Sequence, residues 1–227
     1  MTSFRIFAVS LSWVVLASPL LYAGDLSRYR SFQLGADLPT IAGQARMDPS
    51  EAKVVHRLPA LIQVLEWRPQ PLGPSTRVES ADKVVFSFYN GELYRIVVNY
   101  DRYNTEGLTA EDLIEAISAT YGTATTNAAG ITLQSVYDAN ENVKVIACWE
   151  DSSYSMNLVR SSYQPTFALV VFSKRLDSLA GVAVAEAVRL EKEQAPQREI
   201  ERQEKQAEEN RVLQEKARLA NKPGFRP

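Results

Sequence analysis

The chain is poor in the residues that carry most metal and nucleophilic chemistry, with one histidine and one cysteine in 227 residues. A single cysteine excludes an internal disulfide, and a single histidine leaves no pair for a zinc or iron centre. A Ser-His-Asp or Cys-His constellation would have to be built on His56. Gly-x-Ser-x-Gly, glycine-rich phosphate loops and paired-cysteine metal motifs are absent. An excess of one charge is missing too: 25 Lys+Arg stand against 27 Asp+Glu, a net charge of −2. Nothing therefore draws the whole chain to nucleic acid or an anionic membrane surface. With 45% hydrophobic residues it is too apolar for wholesale disorder. The expectation is a folded chain with no metal, no cofactor and no catalytic constellation.

Long apolar runs are lacking after the first two dozen residues. Residues 1–23 read as an export signal: Arg5 gives a positive start, and Ile6 to Leu16 is apolar apart from Ser10 and Ser12. Ser18-Pro19 breaks the run, and Ala23 offers a small residue for cleavage, with Ala17 as a second cut. The alternative is an uncleaved anchor, since an apolar stretch of ~18 residues sits at the lower limit for a spanning helix. The only cysteine is Cys148, which excludes a lipidated N-terminus. The chain is thus expected in the periplasm or outside the cell, with no integral membrane segment once the signal is removed. In an oxidising compartment Cys148 is either buried or a pairing site for another chain. Its place in Val143–Trp149, an apolar strand-like run, favours burial.

What remains divides by composition near residue 185. Residues 24–185 carry 18 acidic and 14 basic residues, whereas residues 186–227 carry 9 and 10 in only 42 positions. The first part predicts a globular body and the second a solvated helical tail. In the body, Asp48-Pro49-Ser50-Glu51 has the cap, proline and glutamate spacing of a helix start, and Pro59 stops it. His56 would then be a helix-end residue satisfied by local carbonyls. Leu61–Trp67 reads as a strand. Lys83–Tyr89 and Glu92–Tyr100 flank Asn90-Gly91, the preferred pair for a tight hairpin turn. Strict alternation puts Val85, Ser87, Tyr89, Tyr94, Ile96, Val98 and Tyr100 on one face, and Val84, Phe86, Phe88, Leu93, Arg95 and Val97 on the other. Thr109 caps a second helix that Gly122 ends, with Leu113, Ile114, Ile117 and Tyr121 as its stripe. Strands follow at Ile131–Tyr137, Val143–Trp149, Tyr154–Arg160 and Thr166–Lys174, and a terminal helix begins at Leu176.

This order predicts an α+β fold with antiparallel sheet from two helix-plus-three-strand units, a pseudo-repeat over 30–105 and 106–178, followed by a long charged C-terminal helix. Gly35-Ala36-Asp37-Leu38 before a helix and the Phe86–Tyr100 hairpin resemble the small domain of β-lactamase-inhibitor proteins. They also resemble the accessory lipoprotein of the outer-membrane β-barrel assembly machine. That resemblance covers about half the chain and implies an exported binding module of the cell envelope rather than an enzyme. The lipoprotein cysteine and the paired cysteines of the inhibitors are absent here. SFYNGELYRIVVNYDRY and the KPGFRP terminus are also similar to exported bacterial proteins of unassigned function, which implies export and a body-plus-helix layout only.

In the tail, Pro196 predicts a break, one helix ending near Gln194 and a second starting at the proline. Its apolar residues (Ile200, Ala207, Val212, Leu213, Ala217, Leu219) hold no heptad, so it is either a solvated helix or a docking helix. Tyr89, Tyr94, Tyr100 and Tyr103 cluster around the hairpin with Arg95 and Arg102, residue types favoured where proteins bind one another. The same residues also suit a packed sheet face. These observations favour a non-enzymatic module that contacts an envelope protein through this aromatic face and the tail. The rival is a carbohydrate-active or wall-binding protein using Trp67 and Trp149 with Glu66 and Glu150, because rings stack on sugars and two carboxylates can hydrolyse a glycosidic bond.

Overall fold

The computed structural model describes residues 24–69, 80–125, 143–161, 166–224 and 226. The expected export signal at residues 1–23 and the expected strand at Ile131–Tyr137 lie outside them. The described residues form an α+β fold built on antiparallel sheet with a long C-terminal helix.

A two-residue hairpin, β1 (Arg28–Tyr29) and β2 (Phe32–Gln33), leads into helix α1 (Leu38–Ala45). Asp37 caps α1, accepting from the Thr40 amide at 2.9 Å, and Pro39 stands in its first turn. The cap motif at Asp48 is present in full, with Ser50 N donating to Asp48 and Asp48 N donating to Glu51. It nevertheless supports only one 3-10 turn, Pro49–Glu51, and the helix expected there does not form. The residues that would continue it include the β-branched Val54 and Val55, and they pair instead as β3 (Lys53–His56) with β4 (Ile62–Trp67).

Strands β5 (Ala81–Tyr89) and β6 (Glu92–Tyr100) make the expected hairpin. Asn90 and Gly91 adopt φ of 49° and 88°, the left-handed pair a two-residue turn requires. After helix α2 (Ala110–Tyr121), capped by Thr109 and Asp112, come β7 (Val143–Glu150), β8 (Tyr154–Ser161) and β9 (Phe167–Ser173). The seven strands order as β3-β4-β5-β6-β9-β8-β7, every pairing antiparallel. Strands from before and after α2 therefore meet at β6 and β9, in the middle of one sheet.

One register row crosses six strands: Leu65, Phe86, Ile96, Val171, Met156 and Trp149 stand side by side. Each is at most 2% exposed. Ile41, Ala42 and Ala45 of α1 and Leu113 and Ile117 of α2 pack in the same cluster, so both helices cover this face. Each fully buried large apolar side chain of this row contributes about 1.5–3 kcal/mol to the body's stability.

The last helix, α3 (Lys174–Asn221), is continuous over 48 residues and passes through Pro196 without the expected break. Proline costs one hydrogen bond and a steric clash, about 3 kcal/mol, but the flanking Glu, Gln, Arg and Lys are strong helix formers. Leu176 and Ala180 pack with Ile62 and Tyr94, whose side chains leave the sheet on the face opposite the row above.

Candidate functional site

The hairpin does not present the face that strict alternation predicts. A bulge between the Ser87–Arg95 and Phe88–Leu93 pairs places Tyr94 as the extra residue in β6. Beyond it every side chain changes face, the consequence of a one-residue slip in a period of two. Ile96 and Val98 therefore join Phe86 in the core, while Arg95 joins Ser87 on the α3 side. The row on that side reads Val64, Ser87, Arg95, Phe172, Ser155, Glu150 across the six strands. This half-polar track is the seat of α3.

The helix is anchored to the track by charge as well as by packing. Arg95 Nε donates to Asp177 Oδ1 at 2.7 Å, with the side chains only 11% and 20% exposed. The Arg95 guanidinium also lies 5.7 Å from the Tyr94 ring centre and 6.0 Å from that of Phe172, a cation held between aromatic rings. Burial lifts the Asp177 carboxyl above the usual carboxylate range, and Arg95 opposes that rise. Burial likewise raises the Tyr94 phenol. At the start of α3, Lys174 Nζ donates to Glu150 Oε2 at 2.8 Å and to the Asp151 carbonyl at 2.7 Å. Further along, Glu191 meets His56 Nδ1 at 3.0 Å. His56 is thus on a strand facing a helix 135 residues away, not at a helix end with local carbonyls.

The six hairpin residues singled out by composition do not form one open face. Tyr94 is buried, Arg95 is engaged by Asp177, and Tyr89 packs beside them against the Leu176 cluster. Tyr100 packs against the main core, where burial raises its phenol. Only Arg102 and Tyr103 are exposed, Tyr103 at 82%. Their loop is ordered by Asp101, whose carboxylate accepts from the Tyr103 and Asn104 amides at 2.9 Å each.

The two tryptophans also part company. Trp149 is core: it is 2% exposed, and its indole N–H donates to the Gly122 carbonyl at 2.9 Å. Trp67 is half-buried, edge-on to Phe32 at 5.3 Å and stacked on Phe86 at 6.5 Å. β4 and β7 are five strand spacings apart, so Glu66 and Glu150 are separated by about 24 Å. A glycosidase pair must stand within about 5–9.5 Å, so these two cannot flank one bond. Glu150 is moreover held by Lys174, and Glu66 faces Lys53 at 3.8 Å.

Cys148 is buried, its sulfur 3.8 Å from Ser155 Oγ, which also accepts from Asn157 Nδ2 at 3.1 Å. Among the described residues no group of three or more His, Cys, Asp and Glu could hold a metal ion.

Past Ala187 the helix buries nothing. Residues 191–221 are exposed throughout, which at 1.5 Å per residue makes an arm of about 45 Å. The arm is braced by its own pairs, Glu199–Arg202 at 2.8 Å, Glu208–Arg211 at 3.2 Å and Glu215–Arg218 at 2.7 Å. Ile200, Val212, Leu213 and Leu219 stand among these charges, each at least 43% exposed. Among the described residues no helix is long and apolar enough to cross a membrane.

Sequence reasoning missed Asp177, Glu191 and Lys174 as partners of the sheet. The 4-3-4 spacing of Leu176, Ala180, Ala183 and Ala187 was the available signal that one stripe of α3 docks. No family model, no curated protein and no solved structure matches this chain.

Proposed function

We propose that this protein is an exported, non-enzymatic binding or scaffold module of the cell envelope, which holds a helical arm out to a protein partner. The observation that carries the reading is the contrast within α3. One stripe is locked to the sheet, and the following 191–221 segment is wholly exposed yet carries Ile200, Val212, Leu213 and Leu219. A helix with no body to pack against is kept by its own charge pairs, and scattered large apolar side chains on it are contact points in search of a groove. The export pattern of residues 1–23 supports the location. The engagement of His56 by Glu191 and the burial of Cys148 support a non-enzymatic role, since the chain's one imidazole and one thiol are both committed to packing. The hairpin's aromatic face serves in this reading as the arm's anchor, with Arg102 and Tyr103 as its exposed remainder.

The test is a photo-cross-linking residue placed in the full chain at Ile200, Leu213 or Leu219, with Lys83 as a control position on the body. A discrete envelope-protein adduct from the arm positions and none from Lys83 is the expected result. Equal labelling from all four positions, or none from the arm, overturns the proposal.

A further inference from the structure

A recess of about 680 Å³ lies where the end of α1 meets the end of β4, lined among others by Gln44, Arg46, Met47, Glu66, Trp67 and Arg68. Its volume is in the range of small-ligand sites. We infer that this recess binds an acidic saccharide, a short sugar chain bearing a carboxylate, seated on the Trp67 indole. The inference is independent of the arm and its partner.

Three observations converge. First, Trp67 is half-buried and backed by Phe32 and Phe86, which hold the indole in place without covering it completely. A braced ring with remaining exposure is a platform for the C–H face of a pyranose. Second, the helix ends on Arg46 in the left-handed region, φ 58° and ψ 41°, where glycine is the usual residue. Keeping a long cationic side chain at a position that strains it is a feature found at ligand sites. Among the described residues Arg46 has no carboxylate partner, and Arg68 has only the loose contact to Asp82 at 3.7 Å. Two arginines thus line the recess against one carboxylate, that of Glu66, which leaves its lining net positive. Third, Glu66 and Gln44 line the same recess. The Glu66 carboxylate can accept from hydroxyl donors, and the Gln44 side-chain amide both donates and accepts. Flat apolar platform, cation pair and hydroxyl-binding groups together fit a sugar carrying a carboxylate better than a nucleotide or an aromatic peptide.

The glycine that the φ value calls for supplies a clean variant. Arg46→Gly removes the guanidinium and relieves the backbone, so the fold is retained and any loss of binding belongs to the side chain. The experiment follows the tryptophan indole N–H signals of the full chain during titration with a disaccharide of N-acetylglucosamine and N-acetylmuramic acid. Diacetylchitobiose serves as the neutral counterpart and Ala-Phe-Ala as the peptide. The expected result is a saturable shift of the Trp67 signal with the acidic disaccharide, an unmoved Trp149 signal, and affinity at least about tenfold weaker for diacetylchitobiose and for Arg46→Gly. Three outcomes overturn the inference: no Trp67 shift with either sugar, equal affinity for the two sugars with Arg46→Gly unaffected, or a shift with the peptide alone.

Discussion

Between Lys174 and Leu190 the last helix places Leu176, Ala180, Ala183 and Ala187 against the sheet and pairs Asp177 with Arg95. From Glu191 to Asn221 the same helix buries nothing, and beyond the Glu191–His56 contact at its start the described charge pairs are its own. The backbone is helical in both halves, so helicity does not distinguish them. What does is the stripe. Small residues at 4-3-4 spacing let the first half lie close on a flat sheet, and the arm has glutamate, glutamine and arginine where that stripe would continue. Helical structure in the first half rests on tertiary packing, and in the second on propensity and i,i+3 or i,i+4 pairs worth a few tenths of a kcal/mol each.

The comparison is broken most directly by truncating one apolar side chain in each half. Leu176→Ala should lower the stability of the body by about 2–5 kcal/mol in urea unfolding, because it leaves a cavity beside Tyr94 and Ile62. Ile200→Ala should change it by no more than about 0.5 kcal/mol. Equal effects would mean that the arm packs on the body in solution.

Pro196 offers a second handle, since it lies in the exposed half. Pro196→Ala restores a backbone donor and should stabilise the arm locally by about 3 kcal/mol, read as slower amide hydrogen exchange around residues 192–200. The urea midpoint of the body should not move. A shift of that midpoint would show that the two halves fold as one cooperative unit.

The docked half also carries a pH signature. Burial raises the Asp177 carboxyl above its ordinary 3.8, so folding favours the protonated acid. Its contribution to stability is fully present below about pH 3.8 and is lost as the pH rises through the raised folded value. Asp177→Asn removes this component, so the variant should gain on the wild type as the pH is brought from acid to neutral. The capping carboxylates Asp37 and Asp112 run the other way. Hydrogen bonds with Thr40 and Thr109 hold them below the usual range, and their contribution is lost as the pH falls through the folded values. Parallel pH profiles for wild type and Asp177→Asn would contradict the buried setting of this pair.

The smallest effect is expected at the junction of the halves. His56→Ala removes the contact with Glu191, whose side chain is 53% exposed, and should cost at most about 1 kcal/mol. Faster exchange at residues 187–195 with an unchanged body would mark this contact as the point where docking ends.

Several of these features are legible in the sequence alone. The Asn90-Gly91 turn, the Thr109 cap and Gly122 stop of α2, and the buried setting of Cys148 follow from residue types whose preferences act over a few neighbours. The cap motif at Asp48 was equally legible and still misleading, because a cap starts a turn but cannot extend it through Val54 and Val55. The bulge at Tyr94 was not legible: one residue more or less in a ladder is decided by what each face must bury. The Trp67 and Trp149 strands look alike in one dimension, and only their placement five spacings apart separates a core indole from one that borders a recess.

By itself, then, the sequence determined the turns, the caps, the strand-forming runs and the division between an apolar body and a charged tail, all set by short-range chemistry. The tertiary structure decided which face Arg95 takes, where α3 stops docking, what His56 meets and that Arg46 shares a recess with Trp67. Those outcomes depend on residues brought together from distant parts of the chain, and no local preference of either partner contains them.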